Sequence, residues 1–125
     1  MSQKRILLID DETNLSTVIQ ACLEKVGGWI VLKADTGRAG LHIAATETPD
    51  AILLDVRMPD MDGFTVLQHL QEMPTTRTIP VILLTAQVNG VQSALYAQLP
   101  IAGVIAKPFN PMRLSSQIDE ILASV

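Results

Sequence analysis

At 125 residues, 48% hydrophobic and with a formal net charge of −4, the chain has enough material for one buried core and too much apolar character for disorder. Its nine Lys and Arg are scattered among thirteen Asp and Glu, which excludes a nucleic-acid face, because phosphate recognition needs clustered positive charge. The single cysteine, Cys22, excludes an internal disulfide framework, and no apolar run approaches the ~18 residues of a membrane span; a soluble, cytoplasmic domain with no nucleic-acid and no membrane partner is expected.

The first apolar run, Ile6–Ile9, is continuous and stops at Asp10, Asp11 and Glu12. It is too short for the apolar region of a signal peptide and fits a strand covered on both faces. Leu15, Val18, Ile19, Cys22, Leu23 and Val26 then recur at helical spacing, predicting a first helix that Gly27-Gly28 ends. Cys22 lies on that stripe and is expected to be a buried, inert thiol. A second strand over Trp29–Leu32 leads into Lys33-Ala34-Asp35, and Thr36 caps a second helix carrying Leu41, Ala44 and Ala45.

The third strand, Ala51–Leu54, ends at Asp55. Met58-Pro59 reads as a turn, and Asp62 caps a third helix whose Val66, Leu67 and Leu70 face the core. The fourth strand, Val81–Leu84, ends at Thr85. The helix expected around residues 88–99 is the weakest, since it contains Asn89-Gly90 and runs into Pro100. The fifth strand, Gly103–Ala106, ends at Lys107-Pro108, and Asn110-Pro111 opens a last helix with Leu114, Ile118, Ile121, Leu122 and Val125 inward. This fivefold strand–helix alternation predicts an α/β fold, a parallel sheet with helices on both faces, in one domain over residues 1–125.

Sites in such sheets form beyond the carboxyl ends of the strands. Those ends carry Asp10, Asp11, Asp55, Thr85 and Lys107. If the central strands adjoin, three carboxylates converge. Two of them at about 4 Å repel by roughly 4 kcal/mol at an effective dielectric of about 20. A held proton or a cation must offset that repulsion. An all-oxygen cluster suits a hard ion such as Mg²⁺, and a partly filled Mg²⁺ shell suits a phosphoryl group, with Asp55 as nucleophile. No phosphate-cradling glycine motif is present, so the phosphoryl donor must come from outside.

Other polar residues read as structural. Glu12 suits the first turn of a helix, and Asp60 and Asp62 suit a turn and a cap. A calcium loop fails, because placing Gly63 at its sixth position puts Met58 at the first and His69 at the twelfth. His42 and His69 sit in predicted helices with no activating neighbour, and Trp29 reads as packing.

The segments LLIDDE, LLDVRMPDMDG, ILLTA and AKPF together resemble, in order and spacing, the motifs of response-regulator receiver domains of two-component signalling. The resemblance implies a flavodoxin-like (βα)5 fold with strand order 2-1-3-4-5. It implies that Asp55 is the phosphoacceptor, and that Asp10, Asp11, Asp55 and the backbone carbonyl of Arg57 hold Mg²⁺ (or Mn²⁺). Thr85 and Lys107 would contact the phosphoryl group, and the Lys107–Pro108 bond would be cis. The donor would be a phosphohistidine on a sensor histidine kinase or phosphotransfer protein. No output domain is expected after Val125, so the signal would leave by protein contact on the surface of the fourth helix, fifth strand and fifth helix. The sequence departs from the family at its switch pair: many members have an aromatic residue three residues before the lysine, where this chain has Val104. Pro100 stands where glycine is common, and Arg57 and Gln87 hold variable positions flanking the phosphoryl group. Two alternatives are a receiver-fold binding module that is not phosphorylated and a small Mg²⁺-dependent phosphohydrolase with an aspartyl-phosphate intermediate.

Overall fold

The computed structural model describes residues 4–56, 61–86 and 94–124. Five strands, β1 (Arg5–Ile9), β2 (Ile30–Ala34), β3 (Ala51–Asp55), β4 (Val81–Thr85) and β5 (Gly103–Ala106), form one parallel sheet in the order β2-β1-β3-β4-β5. Helices α1 (Thr13–Gly27), α2 (Gly37–Glu47) and α3 (Gly63–Glu72) and a C-terminal helix (Leu114–Ala123) cover it. This is the flavodoxin-like (βα)5 arrangement expected from the resemblance.

The unbroken apolar runs follow from coverage of both faces. Side chains alternate across a strand, so Leu7, Ile9, Ile52, Leu54 and Leu83 pack with α2 and α3 residues such as Ala44, Val66 and Leu70. Ile6, Leu8, Leu53, Ile82 and Leu84 pack on the other side with Ile19, Leu23, Leu114 and Ile118. With no solvated face, no position in β1, β3 or β4 has reason to be polar until the strand ends.

Two predicted caps are present: Thr36 Oγ1 accepts from Ala39 N at 3.0 Å and Asp62 Oδ1 from Thr65 N at 2.9 Å. Gly28, at φ 70°, closes α1 in the left-handed conformation that glycine tolerates.

Several expectations need correction. β2 spans Ile30–Ala34, not Trp29–Leu32. Its pairing with β1 puts Ile30 opposite Arg5 and extends the ladder to Ala34. Trp29 stays outside the strand, 3% exposed in the core beside α1 and the C-terminal helix. On α1, Val18 and Val26 are exposed, Cys22 is half-buried, and Ser16, Ile19 and Leu23 face inward. The apolar spacing was wider than the stripe the sheet covers. Ser16 is tolerated inside because its hydroxyl donates to Thr13 O at 3.0 Å. Asn110 caps a 3₁₀ turn, Pro111–Arg113, and the α-helix proper starts at Leu114. Residues 94–96 are helical. The rest of the expected helix up to residue 93, the Met58-Pro59 turn, Asp60 and Val125 lie outside the described residues. Among the described residues, no helix is long and apolar enough to cross a membrane.

Candidate functional site at the carboxyl ends of β1, β3, β4 and β5

Strand register decides which polar residues meet. Ile9 pairs with Leu54, so Asp10 follows beside Asp55, the last residue of β3. Asp55 pairs with Leu84, which places Thr85 at the next step of β4. Thr85 pairs with Ala106, and Lys107 N donates to Thr85 O at 2.8 Å as the chain leaves β5. Residues distant in sequence therefore share one end of the sheet.

Asp10, Asp11 and Asp55 each offer a carboxylate oxygen within 4.8 Å of the others. Lys107 Nζ lies 3.2 Å from Asp55 Oδ2. Asp10 Oδ1 accepts from Glu12 N at 2.9 Å, whereas the buried Asp10 Oδ2 has no hydrogen-bond partner among the described residues. Burial pushes the Asp10 carboxyl up to about 6; the Glu12 amide opposes this, the Asp55 charge adds to it, and Lys107 opposes it. A buried carboxylate with an orphaned oxygen, beside two more acids, has the chemistry of a site for a hard divalent cation. The triad thus fits a divalent metal.

The structure brings together five predicted site residues: Asp10, Asp11, Asp55, Thr85 and Lys107. Arg57 and Gln87 lie outside the described residues. The Lys107–Pro108 peptide is cis. Val104 pairs with Leu83 in the sheet and packs on the α2–α3 side. His42 and His69 are exposed on α2 and α3.

One residue at the site was missed. Tyr96, 5% exposed, places its hydroxyl 3.4 Å from Thr85 Oγ1. Its ring stacks on Phe64 of α3, with centroids 6.2 Å apart and planes at 19°. The available signals were that Tyr96 is the only tyrosine and that it stands three residues before Leu99, a helical spacing. The weak helix propensity of that segment hid both.

The model of the response regulator receiver domain matches residues 6–119, and the chain belongs to that family. Receiver domains carry phosphoaspartate-based two-component signalling through protein contacts; they are phosphoacceptors, which sets aside the phosphohydrolase alternative. The alkaline phosphatase synthesis transcriptional regulatory protein PhoP of Bacillus subtilis is 34% identical over 119 residues, covering 95% of this chain and 48% of PhoP. The response regulator PleD of Caulobacter vibrioides is 37% identical over 120 residues, covering 91% of this chain and 25% of PleD. The chain thus spans half or less of the length of these relatives. Among solved structures, the receiver domain of the sensor histidine kinase PA1611 of Pseudomonas aeruginosa has a TM-score of 0.83 at 29% identity, covering 98% of this chain and 99% of that one. That structure holds a magnesium ion in its active-site cleft. The chemotaxis response regulator CheY4 of Vibrio cholerae has a TM-score of 0.88 at 25% identity, covering 96% and 99%.

Proposed function

We propose that Asp55 accepts a phosphoryl group from a phosphohistidine on a sensor histidine kinase or histidine phosphotransfer protein, with Mg²⁺ (or Mn²⁺) required. The observation that carries this reading is the meeting of Asp10, Asp11, Asp55 and Lys107 at one strand-end cluster, with an orphaned oxygen on Asp10. Held by Asp10, Asp11, Asp55 and the Arg57 carbonyl, the ion would neutralise charge on the phosphoryl oxygens. An Asp55 carboxylate oxygen attacks phosphorus, the P–N bond of the donor breaks, and its electron pair returns to the imidazole. Lys107 supplies a cation to a phosphoryl oxygen, and Thr85 supplies a hydroxyl. In this reading residues 1–125 act as one cytoplasmic receiver unit, whose state passes to a downstream protein through the surface of residues 94–99, β5 and the C-terminal helix.

Mass spectrometry after incubation with acetyl phosphate and Mg²⁺ tests this reading. One phosphoryl group is expected on the wild type and none on Asp55→Asn; labelling that persists in the variant defeats the assignment. Lys107→Ala should separate two roles of the lysine. Its ammonium competes with a cation for Asp55, so removing it should tighten Mg²⁺ binding by roughly tenfold, about 1.4 kcal/mol. Phosphoryl uptake should slow at the same time. Calorimetric titration reads the first effect, and unchanged or weaker Mg²⁺ binding would contradict it.

A further inference from the structure

A cavity opens next to the strand-end cluster, and the phosphoryl chemistry above makes no use of it. It measures about 350 Å³, the size of a small-ligand pocket. Its lining includes the apolar Leu15, Ala86, Pro108 and Phe109 and the charged Glu12 and Lys107. Three of these tie it to the site: Glu12 follows Asp11, Ala86 follows Thr85, and Lys107 Nζ lies 3.2 Å from Asp55 Oδ2. Leu15 and Phe109 are half-buried against the core, and Ala86 is exposed. A molecule whose phosphoryl group rests on Lys107 at Asp55 therefore reaches this cavity with whatever else is attached to phosphorus.

We propose that this cavity takes the carbon chain of a small acyl phosphate, so that the protein accepts phosphoryl groups directly from such donors and prefers longer acyl groups to acetyl. This rests on the reading of Asp55 as phosphoacceptor and adds a donor class to it. In the step itself an Asp55 carboxylate oxygen bonds to phosphorus, the bond from phosphorus to the acyl oxygen breaks, and its electron pair leaves with the carboxylate. Acetate and butyrate are nearly equal leaving groups, because the added methylenes barely change the basicity of the carboxylate. A rate difference between their phosphates therefore reports contacts of the carbon chain. Burying one methylene is worth about fourfold in binding. Two more of them against Leu15 and Phe109 favour butyryl over acetyl phosphate by on the order of tenfold. These contacts are the same before and during transfer, so the gain lies in KM, with kcat little changed.

Time courses of Asp55 labelling, read by mass spectrometry with Mg²⁺ at one ionic strength, compare acetyl phosphate, butyryl phosphate and phosphoramidate. Phosphoramidate carries no carbon chain and gives the rate set by the phosphoryl site alone. Butyryl phosphate should label about tenfold faster than acetyl phosphate at low donor concentration. Leu15→Ser removes an apolar wall, and Ala86→Leu fills the cavity from an exposed position. Either variant should bring the butyryl-to-acetyl ratio close to unity. The ratio is the readout, because damage to the fold or to the phosphoryl site slows all three donors together. Equal rates for butyryl and acetyl phosphate in the wild type, with Asp55 labelled, overturn this inference alone and leave the cavity to a side chain of a protein donor. A preference that persists in both variants puts the carbon chain elsewhere and overturns it too. If no donor labels Asp55, the phosphoacceptor reading falls, and this inference with it.

Discussion

Gly63→Ala is expected to destabilise the domain by about 2–3 kcal/mol and to slow phosphoryl uptake at Asp55, although no catalytic group is changed. Gly63 opens α3 directly against the end of β3, donating its N–H to Val56 O at 2.8 Å. A Cβ there would stand 2.7 Å from Val56 Cα and 2.9 Å from Asp55 O. Both obstacles are backbone, so no side-chain rotation relieves the overlap. Either α3 backs away and loses packing from Val66, Leu67 and Leu70, or the end of β3 shifts and takes the Asp55 carboxylate with it. A displacement of about 1 Å at a reacting group can cost roughly a hundredfold in rate. Gly28→Ala is the control: Gly28 needs its φ of 70°, but nothing lies within 4 Å of the added carbon, so a loss of about 1 kcal/mol with labelling intact is expected. Urea unfolding and acetyl-phosphate labelling of both variants decide the matter. An unchanged midpoint and unchanged labelling in Gly63→Ala would show that the contact yields freely.

In metal-free protein, stability should fall as pH rises through about 4 to 6, and Mg²⁺ should restore it at neutral pH. The Asp10 carboxyl titrates near 3.9 in an unfolded chain and is pushed up to about 6 by burial when folded. The folded state therefore holds the proton more tightly. That contribution is fully present below the unfolded value and is lost as pH rises through the folded one. The size is on the order of 2–3 kcal/mol, at about 1.36 kcal/mol per unit. A cation bound only by the folded arrangement offsets the repulsion, adding about 2.7 kcal/mol at a hundred times its dissociation constant. Asp10→Asn removes the charge while its side-chain oxygen can still accept from Glu12 N. It should therefore be more stable than wild type in chelator at pH 7, lose the slope between pH 4 and 6, and respond little to Mg²⁺. Urea unfolding with chelator or Mg²⁺ across that range measures all three. A variant less stable than wild type in chelator at pH 7 would mean that the buried carboxylate is not the strained element.

Not all of this was legible at the same level. Continuous apolar runs ending in Asp10-Asp11, Asp55, Thr85 and Lys107 marked both the strands and the site, because doubly covered strands tolerate polar residues only at their ends. Thr36 and Asp62 were legible as caps, since a cap bonds to an amide three residues away. The strand order came from the resemblance of four motifs to one family; apolar periodicity carries no information about which strand neighbours which. The face of α1 was misread at Val18 and Val26, because spacing reports which residues share a stripe but not how much of it the sheet covers. Tyr96 escaped because its segment has weak helix propensity, and its contact with Thr85 is made between elements eleven residues apart in the chain.

The linear chain alone settled the alternation of strand and helix, the caps and the residue types at each strand end, since all of these depend on neighbours within a few positions. Tertiary structure alone decided that Asp10 and Asp55 share one cluster, that Asp10 holds a proton up to about 6, and that Thr85 meets Tyr96. Distance, burial and field between residues remote in the chain exist only once the sheet register and the helices have brought them together.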